Sequence, residues 1–253
     1  MTTCDALFTP AEFAAFQHAG TGGKVCVVFD ILRATTTMTV ALARGAREIQ
    51  PAATIAEALQ SRAAHPACLL AGERDGLRIR ADRTGGIDFD LGNSPREFLA
   101  AEVRGKSIVM TTTNGTRALR ACAGADRTLV CSFLNLTATA EYLARLAPPD
   151  LVLVGSGTGE HAAYEDVLGI GALAEALGDR LAGAQTADSV RIARRLYQTD
   201  GADLAAALAR GNNGQRLLTL PELRADVAFC ARRDEFPIVA GITGHSSVKL
   251  ITT

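Results

Sequence analysis

The sequence has no basic block: 26 Lys and Arg stand against 27 Asp and Glu, the net charge is −1 and the pI is about 6.4. The electrostatic footprint of a nucleic-acid binder is therefore missing. No apolar run is long enough to span a bilayer. The opening stretch MTTCDALFTPAEF carries an early acid and lacks a basic segment followed by an apolar one, so it does not read as a secretory signal. None of the six cysteines (Cys4, Cys26, Cys68, Cys122, Cys131, Cys230) is in CxxC spacing, which argues against zinc. Cys26, Cys68 and Cys131 sit in apolar, strand-like runs and read as buried free thiols. There is no internal repeat and no low-complexity segment. A cytoplasmic protein is expected.

What is present is a chain of 253 residues, 48% hydrophobic, enough for one large domain or two small ones around a continuous core. Short apolar runs recur as KVCVVFDI (24–31), CLLAGE (68–73), SIVMTTT (107–113), RTLVCSF (127–133) and DLVLVGS (150–156). Nearly continuous runs of this length suit strands covered on both faces. Helical patterns lie between several of them, at 35–46, 54–64 and 137–147, each begun or preceded by Thr. The alternation predicts an α/β fold, a largely parallel or mixed sheet with flanking helices. Residues 75–93 are polar and glycine-rich and read as a long loop. Residues 163–230 read as mostly helical, giving a helix-rich C-terminal half, and 236–252 return to strand-like composition. The domain expectation is one unit over 1–253, with room for a second lobe from about residue 160.

Ligands of open α/β sheets sit at the carboxyl ends of the strands. Five predicted strand ends deliver polar or glycine residues: Asp30; Gly72, Glu73 and Arg74; Thr111 to Thr116; Ser132 to Asn135; and Gly155 to Gly159. Asp30, Glu73 and the pair Glu165–Asp166 offer hard oxygen ligands suited to Mg²⁺. Arg33 and Arg74 offer rigid forks for phosphate, sulfonate or carboxylate. The TTTNGT run supplies hydroxyls and N–H groups near a helix start. Acids and arginines together have the composition of a phosphoryl-transfer site. Each signal has a plain structural competitor. Asp30 and Arg33 would also make an ion pair, TTTNGT would also make a helix cap, and Glu165–Asp166 would also make a solvated helix start. The four histidines, His18, His65, His161 and His245, are dispersed; His161 stands out because it adjoins the Gly loop and the acid pair. A D-x-D phosphatase motif is absent, since Leu32 occupies the second acid's place. A G-x-S-x-G elbow is absent too, and no cysteine precedes a Gly-rich loop and Arg.

Taken in order, VVFDILRATTTMTVALARGAREIQPA, AGERDG, DFDLGNSPREF, GKSIVMTTTNGTRAL, SFLN, YEDVLGIGAL and NNGQRLLTLPELRADVAFCARRDEFPIVAGI resemble the 2-phosphosulfolactate phosphatase family over residues 24 to 242. The resemblance implies an α/β, Mg²⁺-dependent phosphatase that hydrolyses 2-phospho-3-sulfolactate to 3-sulfolactate and phosphate, on the route to coenzyme M. On this chain Asp30, Glu73 and Asp166 are the expected catalytic acids, and these three with Glu165 the expected metal ligands. Arg33 and Arg74 are the expected anion clamps. Asn93, Thr112, Asn114 and Gly115 are the expected substrate contacts. These roles follow from residue chemistry; the resemblance marks the motifs. Members of the family commonly carry Cys-Ala-Gly where this chain has Gly155-Ser156-Gly157. Metal-plus-acid hydrolysis needs no thiol, so glycine there is expected to be harmless. The expected partner is a small phosphorylated sulfonate. A homodimer would cover the Ala-rich helical faces. The competing readings are a phosphatase of another small phosphorylated acid and a non-catalytic anion- or nucleotide-binding relative.

Overall fold

A computed structural model describes residues 1–181, 183–242 and 246–251; His245 lies outside them. Its strands are β1 (Thr3–Leu7), β2 (Lys24–Phe29), β3 (Glu48–Pro51), β4 (Leu69–Arg74), β5 (Leu77–Arg78), β6 (Ser107–Thr111), β7 (Arg127–Cys131), β8 (Asp150–Gly155), β9 (Gln185–Thr186), β10 (Ala240–Ile242) and β11 (Lys249–Leu250). They form two sheets. The larger has the order β11-β10-β7-β2-β8-β1-β9 and the smaller β3-β6-β4-β5. β2 lies parallel between β7 and β8, and β1 lies parallel to β8 and β9. Only β10, β11 and β5 run antiparallel to their neighbours. The expected α/β class with a mixed, largely parallel sheet is what the chain adopts, with two sheets where one was read.

The second sheet is built from residues 48–111, inserted between β2 and β7. All of Val25–Phe29 is buried, because β2 is covered on both faces. One face carries the helix Ala34–Ala43, which lies between the sheets. A single apolar cluster joins its Met38 and Leu42 to Val28 and Val130 of the large sheet and to Ile108 and Met110 of the small one. That helix is buried on every side, so its threonines must be satisfied internally. Thr36 donates to the Ile31 carbonyl at 2.8 Å, Thr37 to the Asn93 carbonyl at 2.9 Å and Thr39 to the Thr35 carbonyl at 2.8 Å. Its stop is Gly45, at φ +91°. The other face of the large sheet packs on the C-terminal helices Tyr164–Leu177, Asp188–Asp200, Leu204–Arg210, Asn212–Leu218 and Arg224–Cys230.

Residues 75–93 are more ordered than their polarity suggests. They hold β5 and a helical turn at Ala81–Thr84, and they close on a parallel bridge between Ala71 and Leu91. Buried Ile79 and Phe89 anchor the segment, and the Phe89 N–H reaches the Ile79 carbonyl at 3.1 Å. Its large apolar side chains, Leu77 and Ile79, then Ile87, Phe89 and Leu91, alternate only in two short runs split by a polar, glycine-containing stretch, too little to read as strands. All six cysteines are buried and free. No helix among the described residues is long and apolar enough to cross a membrane.

Candidate active site

The carboxyl ends of β2, β4 and β6 and the turn after β8 open onto one small cavity of about 130 Å³. Of the residues expected there, Asp30, Arg33, Glu73, Asn93, Thr112 and Asn114 line it. Asp75, Thr158, Asn213 and Arg216 join them. A larger groove of about 590 Å³ shares Thr112 and Thr113 with this cavity. Its one acid, Glu160, is exposed and paired with Arg117 at 2.7 Å, so the smaller cavity is the candidate site. The fourth expected strand end turns away. Ser132 and Asn135 are fully buried, and Asn135 folds back onto the Ser132 N–H at 2.9 Å.

Asp30 can follow β2 because local groups replace the water it loses. Its Oδ1 accepts from the Ala34 N–H at 2.9 Å, in the first turn of the helix that follows, while its own N–H donates to Thr35 Oγ1 at 3.0 Å. The Leu32–Arg33 peptide between them is cis. Oδ2 has no hydrogen-bond partner among the described residues. Burial pushes this carboxyl up to about 7, the Ala34 N–H opposes that, and the charges of Glu73 and Glu165 add to it. Gly115 makes the approach possible: a Cβ there would stand 2.6 Å from the Ala34 Cβ and 2.7 Å from Asp30 Oδ2.

Glu73 ends β4 as a tie between loops. Oε1 accepts from the Thr113 N–H at 2.8 Å and its hydroxyl at 2.9 Å, and Oε2 accepts from the Gly76 N–H at 2.8 Å. Thr112 does part of the capping that TTTNGT suggests, its Oγ1 accepting from the Thr116 N–H at 3.2 Å. Asn114 stands before the helix Gly115–Ala121 without capping it, which leaves its amide to the cavity.

Arg74 points elsewhere. Its Nη1 donates to the Glu73 carbonyl at 2.6 Å and its Nη2 to Thr111 Oγ1 at 3.0 Å, outside the cavity lining. Arg33 does face the cavity, but it is buried and bonds Asp226 Oδ2 at 2.7 Å and the Gly76 carbonyl at 2.5 Å. Its ion-pair partner is thus Asp226 rather than Asp30. The second Asp226 oxygen accepts from Ser94 Oγ at 2.7 Å.

The Glu165–Asp166 pair is buried rather than solvated. Asp166 lies beneath the site, outside the cavity lining. Its two oxygens accept from the Ile31 N–H at 2.9 Å and the Gly157 N–H at 3.0 Å, which latches the turn after β2 to the turn after β8. Burial, with the Glu165 and Asp30 charges, pushes its carboxyl well above the usual range. Burial also raises Glu165, whose Oε1 accepts from Asn213 Nδ2 at 2.6 Å and whose Oε2 has no partner among the described residues. His161 is exposed, and its backbone pairs with that of Thr158. At Gly155 the nearest atoms to a Cβ, on Asp166 and Leu7, would stand at 3.4 Å. A Cβ there would make ordinary van der Waals contact.

The sequence pattern misses Asn213, Arg216 and Asp226, which lie more than 180 positions from Asp30. For Asn213 and Arg216 the local signal is the polar run NNGQR interrupting an otherwise Ala/Leu-rich helical region; Asp226 has none.

The site offers a cation several oxygen donors and an unmet need. The charges of Glu73 and Glu165 both bear on Asp30. Asn93 Oδ1 is buried with no partner among the described residues, an acceptor that burial alone makes costly. Among the described residues no three His, Cys, Asp or Glu side chains form a metal-holding group. Carboxylate oxygens and the Asn93 carbonyl oxygen are hard donors of the kind Mg²⁺ takes, and on that ground alone the residues present fit it.

Comparison with known proteins agrees with the motif order. The family model described as 2-phosphosulpholactate phosphatase matches residues 12–244. A probable 2-phosphosulfolactate phosphatase of Symbiobacterium thermophilum is 38% identical over 230 residues, covering 90% of this chain and 95% of that one. One from Synechococcus sp. strain JA-3-3Ab is 40% identical over 219 residues, covering 84% and 86%. One from Pseudothermotoga lettingae is 38% identical over 236 residues, covering 93% of each. With near-full-length matches on both sides, and with the family's expected motifs meeting around one cavity, this chain belongs to the 2-phosphosulfolactate phosphatase family.

Proposed function

We propose that this protein is a Mg²⁺-dependent phosphatase that cleaves the phosphate ester of 2-phospho-3-sulfolactate to give 3-sulfolactate and phosphate. The observation that carries this reading is the cavity itself. A buried carboxyl with one free oxygen, Asp30, stands beside uncommitted polar groups on Asn93 and Asn114, in a space sized for a small acid.

Glu73 and Asn93 are the residues that would hold Mg²⁺. When bound, the ion neutralises the phosphate oxygens as charge builds on them. Asp30 has one oxygen free of protein partners, and the reading assigns it to the proton. Oδ2 accepts a proton from the attacking water as the new O–P bond forms. The ester oxygen leaves phosphorus with the bonding electron pair, and that proton, returned from Asp30, makes it the hydroxyl of 3-sulfolactate. A carboxyl poised near neutrality suits both halves of this exchange. The Asn114 amide and the Thr112 hydroxyl point donors at the phosphate. Thr113 is spent on Glu73 and positions it. Asp166 acts through the backbone, holding the Ile31 and Gly157 amides so that the turns after β2 and β8 keep the cavity's shape. Arg33 contributes positive charge from a fixed position.

The test is phosphate release from 2-phospho-3-sulfolactate with Mg²⁺ and with EDTA, beside 2-phospholactate, which lacks the sulfonate. Metal-dependent turnover favouring the sulfonated ester is expected. Turnover of phospholactate alone would keep the chemistry and reassign the substrate. Release from neither would remove the phosphatase reading.

A further inference from the structure

We infer that Arg216 selects the substrate by binding its sulfonate, an inference that rests on the cavity being the phosphosulfolactate site. The substrate carries a phosphate, a carboxylate and a sulfonate, so a site that binds it must supply positive charge in more than one place. The two arginines nearest the strand ends cannot do this freely. Arg74 is folded back onto the Glu73 carbonyl and Thr111, outside the cavity. Arg33 is held by Asp226 and the Gly76 carbonyl. Among the described residues lining the cavity, the other cation is Arg216. Its side chain is 52% exposed, and its ion-pair contact is Asp75 at 4.0 Å, at the outer limit for such a pair. The fork is therefore open to a planar or tripodal anion.

The helix that carries Arg216 is placed, not loosely draped. Asn213 lies three residues before it on the same helical face. Its Nδ2 bonds Thr158 Oγ1 at 2.7 Å and Glu165 Oε1 at 2.6 Å, pinning the helix Asn212–Leu218 across the turn after β8. Gly214 lets that helix close on its neighbour, since a Cβ there would meet the Leu208 carbonyl oxygen at 1.8 Å. Arg216 so lines the cavity from the helical side. With the phosphate assigned to Asn114 and Thr112 beside Asp30, the sulfonate is the anion left for its fork.

The experiment compares wild type, Arg216→Gln and Arg216→Lys on 2-phospho-3-sulfolactate and 2-phospholactate, with calorimetric binding of 3-sulfolactate and lactate to each. Arg216→Gln is expected to raise KM for the sulfonated ester about tenfold or more, one lost charge-assisted contact. It should leave kcat nearly unchanged, as loss of uniform binding does, and leave the phospholactate KM where it was. Binding of 3-sulfolactate should weaken by a similar factor and that of lactate should not. Arg216→Lys keeps the charge without the fork and should recover part of the loss. An equal loss on both substrates, or none on either, overturns the assignment. If wild type releases phosphate from neither ester, the phosphatase reading fails by itself, and the calorimetry still decides Arg216. A wild type that also fails to bind 3-sulfolactate overturns both.

Discussion

Arg33 and Asp226, 193 positions apart in the chain, form an ion pair of 2.7 Å in which both side chains are closed to solvent. The pair fastens the turn after β2 to the helix Arg224–Cys230, and Ser94 adds a third loop through the other carboxylate oxygen. The positive charge at the cavity wall therefore depends on a residue near the far end of the chain.

Asp226→Ala should destabilise the protein by about 3–5 kcal/mol, because it leaves a buried guanidinium without its counter-charge. Urea unfolding checks this. The double variant Arg33→Met with Asp226→Leu should lose less than Asp226→Ala alone, since it removes the burial cost of both charges. A larger loss in the double variant would mean that the pair contributes net stability.

Asp30→Asn keeps the shape and the Ala34 bond but cannot take up a proton. We expect turnover to fall by about 10²–10⁴, with a melting temperature at or above that of wild type, because a buried charge pushed upward by its surroundings is removed. Near-normal phosphate release from a folded Asp30→Asn protein would move the proton-accepting role to another group.

Gly115→Ala and Gly155→Ala separate a required glycine from a permissive one. At Gly115 the new methyl collides with Ala34 and Asp30 Oδ2, whereas at Gly155 it meets nothing closer than 3.4 Å. The first should lower kcat/KM by about tenfold or more through misplacement of Asp30. The second should change it little. Equal effects in steady-state assays would contradict the crowding around Asp30.

Glu48 predicts an acid limb of the stability curve. The Ser107 hydroxyl above all, then Lys249 and Ser247, draw its carboxyl down to about 2 from an ordinary value of 4.5. A depressed acid stabilises the fold above its unfolded pKa, and that contribution is lost as pH falls through its folded one. Thermal melts should therefore show wild type above Glu48→Gln at pH 6, the gap shrinking between about 4.5 and 2. A gap that stays constant over that window would exclude this linkage. Because Glu48 joins β3 to Ser107 of β6 and to Ser247 and Lys249, its loss loosens the small sheet from the C-terminal strand.

Much of the site is legible in the residue order. Asp30, Glu73 and the Thr112–Asn114 run are polar interruptions at the ends of apolar strands, a pattern that points to a sheet's ligand edge, while Asn93 is picked out by the motif DFDLGNSPREF. The reading fails where polarity is answered locally. Arg74 turns to its own backbone, Ser132 and Asn135 satisfy each other, and Asp166 spends both oxygens on amide groups. Chemically each could bind a ligand. Only the partners nearby show that each is already engaged.

The sequence by itself determined the alternation of buried strands and helices, the edge at which polar residues gather and the family, because these depend on short-range periodicity and contiguous motifs. The tertiary structure alone decided that there are two sheets, that Arg33 belongs to Asp226 and that Asn213 and Arg216 complete the cavity. Those facts depend on contacts between residues far apart in the chain, 193 positions for Arg33 and Asp226 and 48 for Asn213 and Glu165. Such contacts leave no local period, because what selects them is the need of each buried charge and amide for a partner wherever the fold can supply one.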